Sequence, residues 1–235
     1  MANDAQKQGS LKTWALWVAG AIIAVLVIAL VVVLWPNGNK KNQAATESSS
    51  STASASASGN AGSCDAGSSD SKAVMKDAPS DTEWITTASG WVGPKSDKAG
   101  PKTDQPLREC FQHSPAGALN ASYWSAIQLN DQATARTYLQ DMAVASPARD
   151  KALSQMDQDG PSGEIFDLRG YKFINYKDDQ ADLRLLVSAG SNGKKAEMSI
   201  SLKWDDGQWK LIVPEGLDTS VRQVEDQSQF ISWGP

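Results

Sequence analysis

A chain of 235 residues, 40% of them hydrophobic and 21% charged, is long enough for one domain with a real core plus appended segments. The net charge of −5 hides a split: Lys7, Lys12, Lys40 and Lys41 against Asp4 and Glu47 give the first 63 residues +2, which leaves −7 for the rest. An acidic domain without a basic run argues against direct nucleic-acid binding.

Residues 1–12 form a short polar tail, read as cytoplasmic. The next run, Thr13 to Trp35, reads TWALWVAGAIIAVLVIALVVVLW and contains no charged residue. A helix of that length spans roughly 34 Å, enough to cross a hydrocarbon core of about 30 Å. Trp14, Trp17 and Trp35 stand at its ends, where indole rings favour the interface. Pro36, Asn37 and Gly38 stop it. A cleaved signal peptide is the alternative, but its apolar region would be about 7–15 residues, and Leu34-Trp35-Pro36 is a poor cleavage site. The run therefore predicts a single transmembrane helix over 13–35, an uncleaved plasma-membrane anchor.

Lysines flank both ends of the run, so flanking charge barely sets its direction. Cysteine usage decides instead. Cys64 and Cys110 both follow the helix, and an even pair in a small domain fits a disulfide in an oxidising compartment; two buried free thiols are the alternative. This places the N-terminus in the cytoplasm and the C-terminal domain outside the cell.

Residues 36–80 read as a disordered Ser/Ala/Gly-rich linker. From Asn37 to Ser63 there is no Val, Leu, Ile or aromatic residue, so the stretch has nothing to bury. The extracytoplasmic domain is placed at 81–235. Its first part carries one apolar stretch, Trp84-Ile85 to Trp91-Val92, read as one short extended element among loops. A Cys64–Cys110 bond would fasten this arm to the start of the first helix, worth about 4 kcal/mol in the chain-entropy picture.

Ser114-Pro115 is a helix start, with a side-chain acceptor at the cap and proline at the first helical position. Leu119, Tyr123 and Ile127 follow at spacing four, with Trp124 beside them. A second helix is predicted over about Gln132 to Ala145, with Ala135, Tyr138, Leu139 and Met142 inward. Ser146-Pro147 repeats the start signal for a third over about Ala148 to Asp157, with Leu153 and Met156 inward. Gly160-Pro161 ends the helical half.

The period then changes to two. Phe166 and Leu168, then Tyr171 and Phe173, alternate in a strand with a bulge near Gly170. Asp178-Asp179 fits a turn. Ala181, Leu183, Leu185 and Val187 alternate, and Asn192-Gly193 signals a hairpin. Ala196, Met198, Ile200, Leu202 and Trp204 share one face of the next strand; Glu197, Ser199, Ser201 and Lys203 take the other. Asp206-Gly207 turns into Trp209, Leu211 and Val213. The predicted class is α+β: an N-terminal transmembrane helix, then three helices packed on a curved four-stranded antiparallel sheet.

Candidate chemistry is sparse. His113 lies three residues from Cys110 and beside Ser114, but there is no G-x-S-x-G elbow, and a disulfide would remove the thiol as a nucleophile. No H-E-x-x-H, P-loop or zinc spacing occurs. The pairs Asp178-Asp179 and Asp205-Asp206 fall in predicted turns. Tyr123, Tyr138 and Tyr171 would line any pocket between helices and sheet, with no acid among the inward positions. The sequence thus predicts no catalytic residue, no metal site and no cofactor. Six of the nine tryptophans lie beyond the apolar run. Trp233 and its neighbour Phe230 are the candidates for a partner contact; the alternative is that the tail folds back over the sheet.

Helices followed by a long antiparallel meander resemble the cone-shaped nuclear-transport-factor-2-like fold. The stretches Cys110-Phe111-Gln112-His113-Ser114-Pro115-Ala116-Gly117-Ala118 and Leu202-Lys203-Trp204-Asp205-Asp206-Gly207-Gln208-Trp209-Lys210-Leu211-Ile212-Val213-Pro214, with the ending Phe230-Ile231-Ser232-Trp233-Gly234-Pro235, resemble membrane-anchored proteins of actinobacterial integrative and conjugative elements. The likeness covers the region from about Trp91 onward, plus the anchor-and-linker layout, and its motifs are structural. That family is similar in architecture to bridging subunits of type IV secretion and conjugation systems. The resemblance implies a single-pass scaffold working through contacts with other membrane proteins of a transfer assembly, or with further copies of itself. A surface-anchored domain that binds or senses a small ligand is the alternative.

Overall fold

Trp84 and Trp91 explain the first element. They sit on β1 (Glu83–Thr86) and β2 (Val92–Lys95) or beside them, two antiparallel strands in which Trp84 faces Pro94. Gly90, at φ +86°, closes the turn, with Thr87 N–H donating to the Trp91 carbonyl at 2.8 Å. The single extended element expected here is thus a hairpin. Trp91 is buried and Trp84 half-buried, and both pack on the core.

The computed structural model describes residues 64, 66–69, 72–104, 106–161, 163–189, 194–215 and 221–235. The predicted anchor at Thr13–Trp35, the linker as far as Ser63 and the Asn192-Gly193 turn lie outside them. One compact unit runs from Cys64 to Pro235. The compact unit therefore begins within the segment predicted as linker. Ala66 is buried, Met75 packs against the core, and the Tyr171 hydroxyl donates to the Asp77 carbonyl at 2.8 Å. Polar composition hid this docking because it combines a backbone carbonyl with scattered apolar side chains, Ala66 and Met75, rather than a periodic apolar face.

Helix α1 (Pro115–Asn130) is the axis of the domain. Ser114 caps it, accepting from Gly117 N–H at 3.0 Å, and Pro115 opens the first turn. It is buried on every side from Gly117 to Gln128, so it carries no amphipathic stripe. Its buried hydroxyls turn back onto its own backbone: Ser122 to the Leu119 carbonyl and Ser125 to the Ala121 carbonyl, both at 2.7 Å. Helix α2 (Ala135–Asp141) is shorter than predicted. Asp131 holds residues 131–135 in a turn before it, and Ala143 leaves it to bridge Leu211. Helix α3 (Pro147–Asp159) starts at Ser146, whose side chain accepts from Arg149 N–H at 3.1 Å. Its Leu153 and Met156 are only half-buried.

The sheet is built from β3 (Phe166–Lys177), β4 (Gln180–Ala189), β5 (Lys194–Asp205), β6 (Gln208–Leu211), β7 (Val221–Gln223) and β8 (Ile231–Ser232). Its order is β6-β5-β4-β3-β8, with β7 also pairing β5. Register shifts in β3 fall between Leu168 and Gly170 and between Phe173 and Asn175. Leu168, Tyr171, Leu183, Leu185 and Leu202 are essentially inaccessible. The predicted class is thereby corrected. The architecture is α+β with three helices, but the antiparallel sheet has six strands rather than four, besides the separate hairpin. The predicted class also began with a transmembrane helix; no helix among the described residues is long and apolar enough to cross a membrane.

The two extra strands come from one C-terminal strap. Val224 N–H donates to the Lys195 carbonyl, Lys195 Nζ to Gln227 and Lys172 Nζ to Gln229. The chain thus crosses the outer face of the sheet from the β5 edge to the β3 edge. A Cβ at Gly170 would stand 2.6 Å from the Ile231 carbonyl oxygen, so glycine is what lets β8 lie against β3. The strap accounts for two buried residues on a face expected to be polar, Leu186 and Glu197.

Candidate functional site

The candidate site is built where the arm meets the β5–β6 turn. Cys64 and Cys110 form a disulfide across a sequence separation of 46. Past it, residues 67–69 run beside His113: His113 N–H donates to the Gly67 carbonyl at 3.1 Å, and Ser69 N–H to the His113 carbonyl at 3.3 Å. On the sheet side, Asp206 (φ 50°) and Gly207 (φ 76°) form the tight turn that their residue types require. That turn brings Trp204 and Trp209 against His113.

The His113 ring stacks on Trp204, with centroids 4.0 Å apart and planes within 6°, and meets Trp209 edge-on at 5.6 Å. Its Nε2 faces the Asp178 carbonyl, which can only accept a hydrogen bond. Trp209 Nε1 donates to the Gln112 carbonyl at 3.0 Å. A cavity of about 270 Å³ opens beside this stack, lined by Cys64, Ala66, Gly67, Ser68, His113, Trp204 and Gly207. It presents an imidazole, an indole and a serine hydroxyl.

The geometry tests each candidate nucleophile and acid. Ser114 is not poised for attack, because its hydroxyl donates to Gln112 Oε1 at 2.8 Å while capping α1. Both cysteines are tied in the disulfide. Asp178 pairs with Lys72 across an exposed gap. Asp205 and Asp206 share Lys210 at 2.8 and 2.9 Å; the hydrogen bond from Lys210 holds the Asp205 carboxyl below its usual range despite some desolvation. Among the described residues no group of three or more His, Cys, Asp and Glu side chains is placed to hold a metal ion.

The tyrosines expected to line a pocket are instead parts of a filled interior. Tyr123 accepts from Leu168 N–H at 3.0 Å, and Tyr138 donates to Ser125 Oγ. Burial pushes both phenols far above their ordinary value, and Tyr171 up to about 12. The Glu109 carboxyl is also raised, through burial first and then the charge of Asp141; its sequence context gave no sign of this.

Phe230 and Trp233, the candidates for a partner contact, lie away from this pole. Trp233 lies in a tail that folds back onto the sheet. It is buried against Trp84 at 5.3 Å and Tyr171 at 5.7 Å, and its Nε1 donates to Thr82 Oγ1 at 3.1 Å. The tail folds back because β8 pairs with β3. Phe230 is half-buried in the strap. The stack of His113 on Trp204 had no sequence signal, since the two are 91 positions apart and meet only through the β5–β6 turn.

The fold and site define a disulfide-fastened α+β domain with an aromatic core. The chain belongs to the family described as "Domain of unknown function (DUF8175)", whose profile matches residues 44–232. No curated protein and no solved structure matches it.

Proposed function

We propose that this chain is a non-catalytic scaffold subunit that acts by protein contacts outside the cytoplasm, at the membrane. The observation that carries the contact reading is the filled interior. Tyr123, Trp124, Tyr138 and Trp209 are all buried in the interior, with their polar atoms bonded to protein groups. What such a domain offers a partner is its surface. The disulfide supports an oxidising, extracytoplasmic setting. A role in a conjugative transfer or secretion assembly rests on the sequence resemblance alone.

Crosslinking of the intact chain in its own membrane, followed by identification of its neighbours, tests the scaffold reading. Recurrent membrane-protein neighbours or copies of the chain itself are expected. A chain that crosslinks to nothing specific would overturn that reading, and normal mating frequency in a strain lacking the chain would sink the transfer assignment. The competing reading, a surface-anchored small-ligand-binding domain, is favoured by the His113–Trp204 cavity. A ligand seated there would change the fluorescence of Trp204, and replacing Trp204 by Leu would abolish its binding.

A further inference from the structure

We propose that the Cys64–Cys110 bond is the point at which tension in the preceding chain enters the domain, and that it carries this tension past residues 65–109 directly into α1 and the β5–β6 hairpin. The proposal rests on the tethered reading above only for its biological setting; the mechanical claim concerns the domain itself.

Cys64 is the first residue of the compact unit, and Ser/Ala/Gly-rich sequence precedes it. Any pull on that sequence reaches the domain at Cys64. Two routes lead inward from there, and they differ in strength. Along the backbone, the arm between Cys64 and Asp77 is held by few contacts, placed one after another. Among the described residues they include Ala66, the backbone pair to His113, the Lys72–Asp178 ion pair with both side chains more than half exposed, the half-buried Met75, and the Tyr171 hydroxyl on the Asp77 carbonyl. A pull from the Cys64 end meets these in series, so each breaks alone, and an exposed ion pair contributes at most about 1 kcal/mol. Peeling along this route would end by drawing on Trp84, which packs on Tyr123 and Trp233.

The route through sulfur is different. Cys110 is buried, its N–H donates to Gln208 Oε1 at 3.3 Å, and its carbonyl accepts from Lys102 N–H at 3.2 Å. Two residues on, Gln112 donates to the Ala99 carbonyl at 3.1 Å, and its own carbonyl takes Trp209 Nε1. Ser114 then caps α1. Tension delivered at Cys110 is therefore shared by the buried helix and by the β5–β6 hairpin. The covalent bond leaves the arm slack whatever the pull, so the hairpin of Trp84 and Trp91 stays on the core.

Single-molecule pulling of the full chain in detergent micelles tests this, with handles attached without cysteine chemistry in the Ser/Ala/Gly-rich stretch before Cys64 and after Pro235. The native chain is expected to unfold without an early step, and its released length falls short of the whole domain by the closed loop of 46 residues, about 150–165 Å. The double variant Cys64→Ser, Cys110→Ser is expected to show an additional low-force step of about 70 Å, the length from Cys64 to Trp84, before the main event. Should the double variant not fold, dithiothreitol added to the native chain already folded and held at low force should make the same early step appear. Unfolding of the bond-free chain in one step at the native force would overturn the proposal, as would a low-force arm step in the oxidised chain. Neither result bears on whether the chain has membrane neighbours, so this proposal and the scaffold reading fail separately.

Discussion

Glu197 is the residue whose replacement most directly tests the C-terminal strap. Its carboxylate lies on the outer sheet face with its side chain only 9% exposed, accepting from Arg184 Nη1 at 3.2 Å and Arg222 Nε at 2.8 Å. Arg222 stands opposite it on β7, and Arg184 belongs to β4, so one acid joins the strap to two sheet strands. A pair of unit charges about 4 Å apart gains about 1 kcal/mol in bulk water and about 4 at an effective dielectric of 20. Here the acid is buried, but Arg222 is 64% exposed and Arg184 35%. The coupling between Glu197 and Arg222 should therefore fall between those limits, near 1–2 kcal/mol. Replacing Glu197 by Ala also strands Arg184, although both guanidinium groups keep access to water. Its total cost should be about 2–3 kcal/mol, below the 3–5 of a fully buried pair, or about 5–10 °C in Tm for a domain of this size. The assay is a double-mutant cycle of E197A, R222A and the combination, by urea unfolding with tryptophan fluorescence. Hydrogen exchange at residues 221–223 should accelerate in E197A. A coupling energy below about 0.3 kcal/mol, with unchanged exchange in β7, would refute the claim that this acid anchors the strap.

Trp233→Ala should cost about 3–5 kcal/mol in the same unfolding assay, as expected for a buried indole packed on Trp84 and Tyr171; a loss under about 0.5 kcal/mol would mean that the ring is a surface feature after all. Glu109→Gln should stabilise the domain at neutral pH. Burial and Asp141 raise the folded value of Glu109 above its ordinary 4.5, so the native state holds this proton more tightly than the unfolded chain. Its contribution to stability therefore falls as pH rises from 4.5 through the raised value and stays low above it. The gain should be well under about 1 kcal/mol because Glu109 is only half-buried, and the variant should show a flatter stability profile across that window. A neutral-pH stability below that of the parent chain would contradict this reading.

The parts of the fold legible in the sequence are those in which burial and backbone period coincide. Leu119, Tyr123 and Ile127 on α1, and Leu183, Leu185 and Val187 on β4, were placed inward by spacing alone and are buried. Ser114 and Ser146 cap helices as their following prolines suggested, and Asp206-Gly207 turns as its residue types demand. The parts that escaped have no period to read. Strands of two and three residues, β8 and β7, are too short to show alternation. The β1–β2 turn contains no Asn-Gly or Asp-Gly, although Gly90 was a usable sign. The docking of Ala66, Met75 and Asp77 uses isolated apolar side chains and a backbone carbonyl, beside a cysteine, a pattern that composition cannot distinguish from a solvated tether. At the candidate site, each of Cys64, Cys110 and His113 was visible alone, but the stack on Trp204 exists only because β5 and β6 reverse there.

The same reasoning explains why this meander needs both chain ends. Strands β3 to β6 with α1 form an open sheet whose edges are β3 on one side and β5–β6 on the other. Open edges invite pairing with other chains. The C-terminal strap places β7 on β5 and β8 on β3, so one segment blunts both edges. The N-terminal arm does the complementary job at the core: it supplies Trp84 and Trp91, and Gly93 lets Trp124 lie close enough for its Nε1 to reach the Pro94 carbonyl at 2.7 Å. The strap is held by the Glu197 ion pairs, by β8 on β3 and by Trp233 in the core, and the arm by the Cys64–Cys110 bond, Met75 and the hairpin of Trp84 and Trp91. Neither segment has an apolar period of its own, so each depends on these separate attachments. Loss of Glu197 or of the disulfide should therefore loosen one segment while leaving α1 and the central strands folded.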